Sequence, residues 1–228
     1  MSKTATQDEG VAGDQPRDEV PLDRDPRWAK QFGDFGEHLV MYIVGIQKGL
    51  KVAVVDHAGA DLIATDRTGE NGRYAISVKS KTLNIRRRET TIGVESRLFR
   101  FEQRDVEHLR EFADSFGMTP VVAFVIVWPS VPQDHPDWIK KQARYVKDGK
   151  TGFKTMERPE IGVFIVNLDD AIAMGQDASF PYVTAQGGGF NFKFEDVYFE
   201  KLIADPRVDY TRLTLAEMGP VRGWDRSA

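Results

Sequence analysis

The chain has no cysteine, which excludes disulfides, thiolate-held zinc and a cysteine nucleophile, and fits a reducing interior. No apolar run approaches the roughly 20 residues that span a bilayer. Met1 to Asp25 is polar and acid-rich, with neither the apolar stretch of a secretory signal nor the character of a transit peptide. A cytoplasmic protein with no membrane contact is the expectation. The only histidines are His38, His57, His108 and His135; without an HExxH pair they give no case for zinc. There is no repeat, no heptad and no serine in a nucleophile-elbow context. Gly187-Gly188-Gly189 lacks the Lys-Ser/Thr that would complete a phosphate loop, and reads as a mobile connection. Basic residues are not in excess either: 31 Lys and Arg against 35 Asp and Glu leave a net charge of -4, so nothing global attracts a polyanion.

What is present is an ordinary globular composition, 41% hydrophobic and 29% charged over 228 residues, enough for a sizeable core. The charge is uneven. Lys79, Lys81, Arg86, Arg87, Arg88, Arg97, Arg100 and Arg104 face only Glu89, Glu95 and Glu102 in the same stretch. A second basic cluster runs from Trp138 to Arg158. Either can grip phosphates or simply be solvated surface.

Residues 1–26 lack periodicity and are assigned to a disordered arm; 27–228 are assigned to one domain, with a core over 28–128 and an extension over 129–228. From Trp28 the apolar residues Phe32, Phe35, Leu39, Tyr42, Ile43, Ile46 and Leu50 keep helical spacing, with Val40, Met41 and Val44 as a second row. Gly49 closes that helix. Strands are predicted at Val52–Val55, Asp61–Thr65 and Tyr74–Lys79, and 80–100 as basic and irregular. A helix over Asp105–Phe116 ends at Gly117, and Val121–Trp128 is a strand buried on both faces. Asp148-Gly149 suggests a hairpin turn; Ile161–Val166 and Phe190–Phe194 suggest further strands. The order helix, three strands, helix, strand predicts an α/β fold: a mixed central sheet flanked by helices, with strands added by the C-terminal third.

The chemistry concentrates in the second and third strands. Asp61 opens one and Lys79 ends the other, with Ser77 on the same face as Lys79. If the two strands pair through the 67–72 turn, each end lies about nine residues from its centre, and the acid and the amine meet. Phosphodiester hydrolysis needs such a pair: a carboxylate to hold a divalent cation and a lysine to orient water or stabilise the phosphorus centre.

Gly33-Asp34-Phe35-Gly36-Glu37, then Gly59-Ala60-Asp61-Leu62-Ile63-Ala64, then Ile76-Ser77-Val78-Lys79-Ser80 together resemble the PD-(D/E)XK, restriction-endonuclease-like nuclease superfamily over residues 28 to 128. The resemblance implies a restriction-endonuclease-like core and a DNA endonuclease that uses Mg²⁺, or Mn²⁺ as a substitute, and leaves 5′-phosphates. It implies Glu37, Asp61, Ser77 and Lys79 as the catalytic positions, and metal ligation by Glu37, Asp61 and the Val78 carbonyl. It departs at Ser77, where the family usually carries Glu, Asp or Gln; a neutral hydroxyl is a poor ligand. Some members with Ser-Val-Lys recruit a later glutamate. Glu89, Glu95 and Glu102 are the candidates here, and Glu95 is placed first. Lys81, Arg86, Arg87, Arg88 and Arg97 would contact nucleic acid. Cutting both strands suits a homodimer, although no interface is visible in the sequence. Two other readings stay open: a nuclease fold that binds without cutting, which Ser77 motivates, and a nuclease directed at RNA.

Overall fold

The computed structural model describes residues 26–69, 72–82, 85–88, 91–94, 98–128, 139, 143, 160–193 and 201–214. Residues 1–25, the Asp148-Gly149 hairpin and most of the second basic cluster lie outside them, while Pro26, assigned to the N-terminal arm, opens the first helix.

Helix α1 (Pro26–Tyr42) runs into a π-helical turn, Ile43–Gln47, and the chain reverses at Gly49. Pro26 stands in the first turn, where its missing N–H has no helical partner to lose. The helix is as its spacing predicts, but its buried side is different. Leu39, Val40, Ile43 and Val44 are buried, while Phe35, Tyr42 and Ile46 from the expected stripe are exposed. The cause is Gly36. A Cβ there would stand 1.7 Å from Ser80 Oγ, so the helix backbone lies directly on the sheet along the row containing Gly36, and that contact fixes the inward face.

The elements that follow are β1 (Lys51–His57), β2 (Ala60–Thr65), β3 (Arg73–Thr82), β4 (Ile85–Arg88), β5 (Thr91–Val94), β6 (Leu98–Phe101), α2 (Gln103–Ser115), β7 (Thr119–Trp128), β8 (Glu160–Asn167), α3 (Leu168–Gln176), β9 (Val183–Gln186), β10 (Gly189–Lys193) and β11 (Val208–Thr214). The main sheet has the order β1-β2-β3-β7-β8-β11. Its β3–β7 pair is parallel and the others antiparallel, so the sheet is mixed. A parallel pair needs a crossover, here supplied by β4 to β6 and α2. The C-terminal third adds β8 and β11 to this sheet, and β9 and β10 join β6 in a second one.

Residues 80–100, expected to be irregular, contain the end of β3 and three further strands. Charge hides the first of these three, β4: the triplet Arg86 to Arg88 shows no apolar alternation, yet backbone pairing of Ile85 with Val94 and Arg88 with Thr91 needs none. The glycine triplet is likewise a defined hairpin turn. Gly187 and Gly188 take φ of +53° and +86°, a region open to glycine at little cost, and Gly189 starts β10.

Apolar residues pack on both faces of the sheet. Val121, Ala123 and Val125 of β7 join Leu62, Ala64, Ile76 and the α1 residues on one side. Val122, Phe124 and Ile126 join Ala75, Leu109, Phe112 and the aromatic residues of β6 and β10 on the other. Strand β7 is thus buried on both faces, which its unbroken apolar sequence requires. The same alternation in β3 turns Ser77 and Lys79 toward α2 and Val78 toward α1.

Candidate active site

Two close backbone approaches bring the site residues together. Gly36 lets α1 settle on β3 beside Glu37. Gly59, in the β1–β2 turn, faces α2 so closely that a Cβ would lie 2.2 Å from the His108 carbonyl oxygen. Asp61 therefore stands second in β2, close to α2. The preceding His57 acts structurally, since its Nδ1 accepts from Gly59 N–H at 3.1 Å and its ring packs on Phe112 at 4.7 Å.

The β2–β3 register pairs Leu62 with Ile76 and Thr65 with Arg73. One step further places Asp61 opposite Ser77, so Lys79 lies two residues past the position that equal counting from the turn suggests. Asp61 is instead gripped by the residues before Lys79. Its Oδ2 accepts from Val78 N–H at 2.5 Å and from Ser77 Oγ at 3.3 Å. What the structure shows at Val78 is this N–H contact. Ser77, 8% exposed, is a hydroxyl donor that helps hold Asp61.

The electrostatics set Asp61 and Glu37 apart from surface acids. Burial pushes the Asp61 carboxyl above the ordinary range against the pull of Val78 N–H, Lys79 and Ser77, and the charge of Asp105 adds to the rise. Burial also raises Glu37, and repulsion from Asp61 and Asp34 raises it further, against His38 and Lys30. The two carboxylates are close enough for their charges to interact.

Lys79 projects toward α2, where its Nζ lies 3.3 Å from Asp105 Oδ1 and 5.4 Å from the Phe101 ring centroid. Asp105 is itself fixed, because its Oδ2 accepts from Glu102 N–H at 3.0 Å as part of the capping box that opens α2. Sequence reasoning missed Asp105. The signal was the Glu102-x-x-Asp105 spacing before an apolar-periodic helix, which marks a helix start and not by itself a site.

The structure thus brings Glu37, Asp61, Ser77 and Lys79 to one end of the sheet. Among the proposed replacements for the missing acid, Glu102 is exposed at the α2 N-cap, and Glu89 and Glu95 lie outside the described residues. Among the described residues no three His, Asp or Glu side chains form a group that could hold a metal ion. Of the basic residues, Lys81 donates to the Leu98 carbonyl at 3.4 Å. Arg86, Arg87 and Arg88 form β4, but their side chains, like the whole of Arg97, fall outside what the structure describes. No helix among the described residues is long and apolar enough to cross a membrane.

No family model matches the sequence, and no curated protein matches it. Among solved structures it is similar to the 1.6 Å structure of Hjc, a Holliday junction resolvase from the archaeal hyperthermophile Archaeoglobus fulgidus. The identity is 18% and the TM-score 0.31, over 41% of this chain and 68% of that one. A likeness so distant does not bear on function.

Proposed function

We propose that this chain is a metal-dependent endonuclease that hydrolyses phosphodiester bonds in DNA. The observation that carries the reading is a pair of interacting, partly desolvated carboxylates, Glu37 and Asp61, with Lys79 on the adjoining strand. Acids held out of water are costly unless a cation neutralises them. A hard divalent ion takes one or two carboxylates and completes its shell with water, so the donor set fits Mg²⁺ or Mn²⁺. Bound there, such an ion supplies an activated water and neutralises charge on the phosphate. The chain's own groups position the rest. Among the described residues both hydrogen bonds to Asp61 go to Oδ2, so Oδ1 is the oxygen that would be offered to a cation. Lys79, steadied by Asp105 and Phe101, presents its ammonium to the charge that builds on the phosphoryl oxygens. The Val78 carbonyl and Glu95 are further ligands in this reading. Lys81, Arg86, Arg87, Arg88 and Arg97 lie along the nucleic-acid backbone, and a homodimer supplies one centre per strand.

Ser77 favours a second reading, a nuclease-like fold that binds nucleic acid without cutting it, since its hydroxyl brings no negative charge to the site. Matched DNA and RNA duplexes incubated with Mg²⁺, with EDTA, and with Asp61→Asn protein separate the cases. Cleavage of DNA that needs both Mg²⁺ and Asp61 is the expected result. DNA bound but never cut selects the binding module, and cleavage of RNA alone selects an RNA nuclease.

A further inference from the structure

A cleft of about 210 Å³ opens between β6, the first turn of α2 and the β9–β10 turn, lined by Arg100, Glu102, Gln103, Gln186, Gly187 and Asn191. Phe101 also lines it, but its ring is turned to the opposite face of β6 from Arg100, against the Lys79 ammonium. The link to the candidate active site is Glu102, whose N–H donates to Asp105, the carboxylate paired with Lys79. Its shape is built. The β9–β10 turn is pressed onto β6 and α2: a Cβ on Gly189 would fall 2.1 Å from the Phe101 carbonyl oxygen, and one on Gly188 2.9 Å from the Gln103 side chain.

The lining is organised by sheet register and by hydrogen bonds. Asn191 of β10 stands opposite Arg100 of β6, which puts the amide and the guanidinium on the same face. Asn191 is only 9% exposed, and its Nδ2 donates to Gln186 Oε1 at 2.5 Å. That bond leaves Asn191 Oδ1 as an acceptor and Gln186 Nε2 as a donor. Gln103 gives its Nε2 to Glu107 Oε1 at 2.7 Å and keeps its own Oε1 as a second acceptor. The Glu102 carboxylate disfavours a phosphate here, and the neutral amides do not call for a charged ligand. A ligand with donors and acceptors on one planar edge matches this set. On a nucleic-acid substrate that edge belongs to a base, and Asn, Gln and Arg are the side chains that pair bidentately with purine edges.

We infer that this cleft reads a purine base of the substrate next to the scissile phosphate, through Asn191, Gln186 and Arg100; the inference rests on the nuclease reading above. The test is cleavage of a duplex library randomised around the cut, in Mg²⁺, with the cut ends sequenced. Wild-type protein favours a purine at one fixed position beside the cut. In Gln186→Ala/Asn191→Ala protein that preference falls by about tenfold, the scale of one bidentate base contact. Gln186 is exposed at the end of β9, so Gln186→Ala alone keeps the experiment decisive if the double variant does not fold. A wild-type profile without base preference, or the same preference in wild type and variants, overturns this inference and leaves the nuclease standing. Absence of cleavage by the wild type removes both.

Discussion

Replacing Lys79 by alanine separates chemistry from stability. The ion pair it breaks, Lys79 Nζ to Asp105 at 3.3 Å, joins side chains that are 33% and 28% exposed. Solvent screens pairs of this kind, and they contribute at most about 1 kcal/mol. Asp105 keeps its bond from Glu102 N–H, so no buried charge is stranded. For a chain of this size about 1 kcal/mol moves the melting temperature by roughly 2–4 °C. The loss of a donor aimed at transition-state charge is far larger, about 10²- to 10³-fold in rate. The assay is single-turnover cleavage of labelled duplex DNA at saturating protein with Mg²⁺. DNA affinity is measured separately in Ca²⁺, and thermal melting runs alongside. Lys79→Met, which keeps the stem against Phe101, serves as a packing control. Both variants should bind DNA and melt almost as wild type does, yet cut at least 100-fold more slowly. Cleavage within threefold of wild type, or a loss of rate that tracks unfolding, refutes the reasoning.

Gly36→Ala should cost about 1–3 kcal/mol, because the new methyl meets Ser80 Oγ at 1.7 Å and Ser80 Cβ at 2.9 Å and the helix must lift. Denaturant unfolding measures this, and Gly36→Ala/Ser80→Gly should recover part of the loss; no recovery means the clash lies elsewhere. Asp61 and Glu37 hold their carboxyls above the ordinary range, so the metal-free folded state binds protons more tightly than the unfolded chain. Their contribution to stability is complete below the ordinary carboxylate values and is lost as pH rises through the raised ones. Asp61→Asn should therefore melt higher than wild type near neutral pH in EDTA, by a margin that shrinks on acidification. A margin that does not change with pH contradicts the assignment. Mn²⁺ should raise the melting temperature of the wild type and not of Asp61→Asn.

Much of the fold could be read from periodicity. The unbroken apolar run of β7 announces a strand covered on both faces, and the alternation of β3 places Ser77 and Lys79 on one side. The acid and amine of the candidate site were legible for the same reason, since two strands joined by a short turn must bring their outer ends together. Their offset was not, because register depends on where the turn pairs, and Asp61 faces Ser77. Contacts made at a distance along the chain were hidden. Gly36 and Gly59 look like helix and turn glycines until Ser80 and the His108 carbonyl come into view. Asp105 follows Lys79 by 26 residues and reads as a capping residue, which it also is. Of the strands between Thr82 and Leu98, β4 escaped because arginines occupy positions where an alternation rule looks for valines, and β5, Thr91-Ile92-Gly93-Val94, is too short to show an alternation. Phe35, Tyr42 and Ile46 misled in the opposite sense: apolar spacing marks a helix, but the face it buries is chosen by backbone approach.

Anomalous scattering from crystals soaked in manganese tests the central claim most directly. A peak should lie at coordination distance from both Glu37 and Asp61, with the Lys79 ammonium on its open side. Crystals with no ion at that position, in which the two carboxylates turn away from each other, would contradict it.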